Sequence, residues 1–222
     1  MRHLFYLMGK SASGKDTLYE ELLKDKTLNL APLVTWTTRP IRAKEEEGVQ
    51  YHFADEAKLR ELRAAGKVIE ERTYQTELGP WTYFTVDDHI LSGLREDSSA
   101  ARPDLLGIGT LESCRRIREY YGQERVIPLY IEVDDGLRLE RALKREKKPG
   151  NHKYEEMCRR FLADQQDFSE ENLRKAGVTK RFSNDAPREV CLQELKDWIR
   201  SIQCMPRMPL NRGKEGSDGR IS

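Results

Sequence analysis

The stretch Gly9-Lys10-Ser11-Ala12-Ser13-Gly14-Lys15-Asp16-Thr17, GKSASGKDT, decides how the chain is read. Gly9, Gly14 and Lys15 keep the spacing of a phosphate-binding loop: glycine, four residues, then glycine and lysine. The motif next asks for a hydroxyl, but Asp16 stands there, with Thr17 one place on. Upstream, the apolar run Leu4–Met8 fits a buried parallel strand. Downstream, Leu18, Leu22 and Leu23 share one face of a helix. In a strand–loop–helix unit, the backbone N–H groups of the turn and helix N-terminus converge on an anion, and Lys15 adds a full charge. Gly9, Ser11, Ala12, Ser13, Gly14, Lys15, Asp16 and Thr17 are therefore candidates for holding nucleotide phosphates. The bland reading of Asp16 is a helix-capping acid that suits the macrodipole.

Composition narrows the class. The chain has 222 residues, 35% of them charged, with a formal net charge of +1. That length allows one sizeable α/β domain, and the balanced charge gives no reason to expect nucleic acid as a partner. No apolar run approaches a membrane span, and the N-terminus enters a strand at once, so neither a membrane partner nor a signal peptide is expected. Cys114, Cys158, Cys191 and Cys204 form no close pair and no metal-ligand spacing, which fits a reducing cytoplasm. His3, His52, His89 and His152 are scattered, which argues against a histidine metal site. The Pro-, Gly- and charge-rich tail over residues 205–222 is expected to be disordered.

Strand and helix signals alternate along the chain, which predicts an α/β fold with a parallel sheet flanked by helices. APLVTW predicts a short strand near Val34. Asp55 to Gly66 predicts a capped helix, and KVIEERTY and WTYFTV predict paired strands around a turn containing Gly79 and Pro80. DLLGIGT and RVIPLYIEV read as core strands, and LESCRRIREYYG and DGLRLERALKRE as helices. A long helix is expected to run to about Leu173, followed by a strand at VTKRF and a closing helix at REVCLQELKDWIRSI.

The segment Thr37–Phe53, TTRPIRAKEEEGVQYHF, carries the second motif. Two guanidinium forks, Arg39 and Arg42, and the Tyr51 phenol can surround a phosphate dianion. The positions Thr37, Thr38, Arg39, Arg42, Glu45, Gly48 and Tyr51 closely resemble the nucleotide-monophosphate-binding segment of guanylate kinases. The resemblance extends over nearly the whole chain to about residue 202. It implies a P-loop kinase fold in one domain, residues 1–204, with a core of 1–34, 87–140 and 160–204. A small mixed GMP-binding insert would span 35–86 and a helical lid 141–159. It implies transfer of the ATP γ-phosphoryl group to GMP, with Mg2+ as cofactor and ATP and GMP as small-molecule partners. Arg39, Arg42 and Tyr51 would then grip the GMP phosphate. Thr35 and Glu70 would read the guanine, with Tyr83 and Thr85 standing in for the family's Tyr-Gly-Ser/Thr stretch. A carboxylate that faces two N–H donors separates guanine from adenine, which lacks that pair.

Arg138, Arg141 and Arg145 recur at helical spacing, with Arg159 and Arg160 on the next helix. By the resemblance, Arg141, Arg145, Arg159 and Arg160 are lid arginines that act with Lys15 on the transferring phosphoryl group, and Asn184 borders the adenine of ATP. The strand DLLGIGT departs from the family: Gly107 and Gly109 stand where a pair of acids is usual. Asp16 and Thr17 are the candidate magnesium ligands. Asp16 is also reminiscent of ribose 1,5-bisphosphate phosphokinases, relatives of the same fold, so another phosphorylated acceptor is one alternative. A non-catalytic guanylate kinase-like binding module is the other; such modules typically lose the loop lysine that this chain keeps as Lys15.

Overall fold

A computed structural model describes residues 1–76, 79–95, 102–150 and 152–204. In chain order the first half holds β1 (Leu4–Gly9), α1 (Lys15–Lys24), β2 (Leu30–Pro32), β3 (Trp36–Thr37), β4 (His52–Phe53), α2 (Glu56–Ala64), β5 (Val68–Thr76), β6 (Gly79–Val86) and α3 (His89–Ser92). The second half holds β7 (Asp104–Gly109), α4 (Leu111–Tyr121), β8 (Val126–Glu132), α5 (Asp135–Glu146), α6 (Tyr154–Asp167), α7 (Glu170–Lys175), β9 (Arg181–Ser183) and α8 (Arg188–Gln203).

The main sheet runs β2-β7-β1-β8-β9, and every neighbouring pair is parallel. Its centre is β1, buried at all six positions because it packs helices on both faces. The period of two splits its side chains between two cores. Leu4, Tyr6 and Met8 pack with Cys114, Ile117 and Tyr121 of α4. Phe5 and Leu7 pack with Leu18 and Leu22 of α1 and with Leu195 and Ile199 of α8. Each such leucine contributes roughly 1.5–3 kcal/mol by leaving water. From β1 the sheet grows outward through β7 on one side and β8 on the other, so the loop after β1 opens at the point where strand order reverses, the usual ligand position in an open α/β sheet.

A second sheet, β4-β3-β6-β5, stands beside the first, mixed in direction and backed by α2. Leu59 and Leu62 of α2 close a small core with Phe84 and Val86. Asp55 caps α2 as the sequence predicts, its carboxylate accepting from the Lys58 N–H.

Three details differ from the sequence reading. The strand expected near Val34 is two strands, β2 and β3, with Val34 in neither. Gly79 and Pro80 belong to β6, and residues 77 and 78 fall outside the described residues. The long helix expected to reach Leu173 stops at Asp167 and restarts as α7, where the Ser169 hydroxyl accepts from the Asn172 N–H. Phe168 causes the break: it turns inward and stacks on Tyr130 of β8, ring centres 5.6 Å apart. The tail over 205–222 also lies outside the described residues. The four cysteines are free, Cys114 and Cys191 buried and the other two exposed. No helix among the described residues is long and apolar enough to cross a membrane.

Candidate functional site

A cleft of about 610 Å³ opens between the loop after β1, the end of β7, the second sheet and α6. The loop forms one wall. Gly14 has φ +83° as it starts α1, a left-handed conformation that only glycine adopts without strain. Gly9 leaves no room for a side chain: a Cβ there would lie 2.8 Å from both the Ile131 carbonyl and Ser13 Oγ. Asn184 Nδ2 donates to the Ser13 carbonyl at 2.8 Å and clamps the loop from below. Lys15 faces the cleft, with Asp16 Oδ2 3.7 Å from its Nζ.

Helices α5 and α6 dock on this loop. Arg138 of α5 is 1% exposed, and its guanidinium fills a slot between three elements. It donates to the Ser11 carbonyl at 3.1 Å, to Asp164 of α6 at 3.3 Å and to Asp135 at 2.7 Å, and it lies over the Phe161 ring. Asp164 also accepts the Ser11 N–H at 2.7 Å, so one loop donor is already occupied by an internal carboxylate. Lys10 reaches Gln165 at 2.7 Å, and Gln165 in turn bonds Asp135.

Glu70 forms the opposite wall. A register shift between Val68 and Glu70 on β5 turns its carboxylate toward the cleft. Oε1 accepts from Thr85 Oγ1 at 2.6 Å and Oε2 from Ser113 Oγ at 2.8 Å. Each oxygen keeps a further lone pair for a ligand. Ser113 lies in the first turn of α4, capped by Thr110. Tyr51, Tyr83 and Tyr74 form an edge-to-face series along this side. Burial, with Tyr83 alongside, raises the Tyr51 pKa, so its phenol keeps its proton.

Of the residues singled out from sequence, the cleft brings together Gly9, Ser11, Lys15, Thr35, Tyr51, Glu70, Tyr83, Arg159 and Arg160. Thr85 is buried behind Glu70 as its hydrogen-bond donor. Asn184 is buried beneath the loop. The side chains of Arg39 and Arg42 are not on the cleft wall. Arg39 is 3% exposed and grips Glu45 through two hydrogen bonds, at 2.8 and 3.0 Å. That pairing raises the Arg39 pKa and lowers that of Glu45. Arg39 Nε is buried with no hydrogen-bond partner among the described residues. Arg42 is exposed, its backbone N–H bonded to the same Glu45. Arg141 donates to the Asn184 carbonyl at 2.9 Å, and Arg145 donates to Glu146, both away from the main cleft. Ala12 and Ser13 complete the loop backbone, Ala12 with φ +63°.

Sequence reasoning missed Tyr6, Arg72, Ser113 and Asp164, which all line the cleft. A signal for Tyr6 existed: two glycines inside the core strand β7 mark a close approach by another group.

Magnesium held with nucleotide phosphates takes one or two protein oxygens and completes its shell with phosphate and water. Asp16 and Thr17, both exposed in the first turn of α1, offer hard oxygens of that kind beside Lys15. Among the described residues no group of three or more His, Cys, Asp or Glu side chains converges on a metal position. Neither Asp16 nor Thr17 lines the cleft itself.

A parallel sheet with a phosphate-binding loop at its switch point, facing a small mixed sheet across a cleft, defines a P-loop α/β domain. The family model "Guanylate kinase" matches residues 1–173, and the chain belongs to that family. Similar curated proteins include guanylate kinases of Porphyromonas gingivalis, 28% identical over 59% of this chain and 65% of that one, and of Nitrosomonas europaea, 30% identical over 55% and 56%. The chain thus spans less than two thirds of the length of either relative. A guanylate kinase crystal structure from Anaplasma phagocytophilum shares the fold, with a TM-score of 0.62 over 92% of this chain and 87% of that one at 16% identity.

Proposed function

We propose that the protein transfers the γ-phosphoryl group of ATP to GMP, giving ADP and GDP. The observation that carries this reading is Glu70, whose two oxygens are fixed by hydroxyls on the wall opposite Lys15. Its remaining lone pairs suit the N1–H and exocyclic amine of guanine, a donor pair adenine lacks. The loop backbone and Lys15 would cradle the ATP phosphates. Arg159 and Arg160 line the cleft, and both now pair with Glu156. Such exposed pairs are weak because water screens them, so exchanging Glu156 for a phosphoryl group costs little. Arg141 and Arg145 would join them only if the lid moves further over the loop. Arg39, Arg42 and Tyr51 would take the GMP phosphate, Arg39 by exchanging Glu45 for it. Asp16 and Thr17 would hold magnesium, which supplies charge neutralisation on the phosphates when bound. No general base is required, because phosphoryl transfer depends on positioning and electrostatic stabilisation in a site closed against water.

The test is an ADP-release assay with GMP, AMP, UMP, CMP and ribose 1,5-bisphosphate as acceptors. GMP should be used at least about a hundredfold more efficiently than AMP, the scale set by leaving a buried polar group unpaired against the wrong base. Preference for the sugar phosphate would transfer the reading to that acceptor, and inactivity with every acceptor would favour a binding module.

A further inference from the structure

The wall that carries Glu70 also carries a cation. Along β5, Glu70, Arg72 and Tyr74 line the cleft, while Glu71 faces the other way and pairs with Arg63 of α2 at 2.7 Å. On β6, Thr85 stands opposite Glu70 and Tyr83 opposite Arg72. Alternate residues of a strand share one face and lie roughly 6.5 Å apart, so Glu70 and Arg72 are neighbours on this wall.

Arg72 differs from the other cations that line the cleft. Arg159 and Arg160 pair with Glu156, and Lys15 lies 3.7 Å from Asp16. Arg72 makes no ion pair among the described residues. Its one side-chain hydrogen bond there is long, 3.4 Å from Nη1 to the Tyr74 hydroxyl. Asp167 of α6 lines the same cleft and a smaller hollow of about 110 Å³ that Arg72 also borders, yet the two do not pair. A guanidinium has five N–H donors in a planar fork and no acceptor. Arg72 is half-buried with most of those donors unused by the protein, which leaves them for acceptors on a ligand.

We propose that Arg72 is a specificity-determining residue whose guanidinium donates to O6 and N7 of the acceptor's guanine, beside Glu70 on its N1–H and exocyclic amine. The inference rests on the reading of Glu70 as the guanine acceptor and extends it. Guanine offers its groups in one continuous order: exocyclic amine, N1–H, O6, N7. That order is donor, donor, acceptor, acceptor, and a carboxylate followed by a guanidinium is its complement. The arginine fork matches O6 and N7 of guanine in bidentate fashion, the commonest specific contact to that base. Adenine carries an amine where guanine has O6, so it would turn a donor toward the donors of Arg72. A free arginine in a kinase cleft could instead hold a phosphate, but that contact would be indifferent to the base.

Steady-state kinetics should be run with GMP, 6-thio-GMP, 7-deaza-GMP and AMP on the wild type, Arg72→Met and Arg72→Lys, with melting temperatures and ATP KM measured alongside. The thio analogue keeps both guanine donors and weakens the acceptor at position 6, and the deaza analogue removes N7. The wild type should favour GMP over each analogue by about tenfold or more in kcat/KM, the scale of a hydrogen bond to a charged group. Arg72→Met should lower the GMP value by at least that factor, lower the analogue values less, and leave AMP no worse, so that the preference over the analogues shrinks toward one. ATP KM and the melting temperature should stay close to wild type. Arg72→Lys keeps the charge without the fork and should recover only part of the preference. A wild type indifferent to the analogues, or an Arg72→Met enzyme that keeps its preference, would overturn the inference. So would an equal loss with GMP, the analogues and AMP, which marks a phosphate contact or a scaffold role. Should Arg72→Met fail to fold, Arg72→Lys must narrow the preference over both analogues, and an unchanged preference there overturns the inference equally. A wild type that turns over no GMP overturns the proposed function and this inference together. A GMP-selective wild type whose response to the analogues does not depend on Arg72 overturns this inference alone.

Discussion

The two ends of the cleft hold charge in opposite ways. At the loop end the fixed groups are positive, and each carries an internal anion: Asp164 on the Ser11 N–H, Asp16 beside Lys15, and Glu156 on Arg159 and Arg160. At the insert end the cleft wall holds an anion, Glu70, bonded to two neutral hydroxyls, while the cation Arg39 is neutralised by Glu45 behind the wall. Exposed ion pairs exchange partners cheaply, whereas buried hydroxyl and carboxylate groups are expensive to leave unpaired. On the proposed function, the exposed partners Asp16 and Glu156 at the loop end would give way to phosphate, and the insert end would keep its geometry and reject what does not match it. That division suits the proposed transfer, in which the acceptor must be chosen.

The sharpest way to break the comparison is to remove the charge at the loop end. Lys15→Met should lower kcat by about 10²–10³-fold, the scale of losing one preorganised donor to the transition state. GMP binding, measured by calorimetry, should persist. Loss of GMP binding with ATP binding intact would mean the two ends are assigned the wrong way round. A smaller effect is expected at the insert end. Arg39→Ala should weaken GMP binding by about 1.5–3 kcal/mol, the range for a hydrogen bond to a charged group, and leave ATP binding unchanged. An Arg39 whose only function is to neutralise Glu45 would instead lower the melting temperature and leave GMP affinity untouched. The smallest effect is at Asp16, whose side chain is 82% exposed. Asp16→Asn keeps the size of the side chain and removes the charge. The variant should need more magnesium for half-maximal activity with little change in melting temperature. An unchanged magnesium requirement would leave Asp16 as a first-turn acid with no metal role.

What could be read from the sequence followed from how local each signal is. The β1–loop–α1 unit was legible because its strand period, glycine spacing and helical face lie within about twenty consecutive residues, where secondary-structure periodicity decides the outcome. Glu70, Thr85 and Tyr51 were reached through a motif resemblance; Glu70 and Tyr51 line the cleft, with Thr85 buried behind Glu70. Tyr6 was not legible as a site residue, because its place depends on the register of β1 against β7, strands about a hundred residues apart. Only the two glycines hinted at it. Asp164 meets the loop across 153 residues of chain, and no local pattern encodes that contact. The break between α6 and α7 was missed for a related reason: Phe168 fits a continuing helical pattern, but its burial against Tyr130 is decided by the sheet beneath. Arg39 and Arg42 lie off the cleft wall, and Glu45, part of the motif in the sequence reading, is the counter-ion of Arg39 in the structure.

The most direct test of the central claim compares the wild type and Glu70→Gln with GMP and AMP in one assay. A glutamine keeps the size of the side chain and replaces one acceptor oxygen with a donor. The wild type should prefer GMP by at least about a hundredfold in kcat/KM, and most of that preference should vanish in Glu70→Gln through a fall in GMP efficiency with AMP nearly unchanged. A Glu70→Gln enzyme that discriminates as the wild type does would contradict the account, since the group that reads the acceptor would then lie elsewhere.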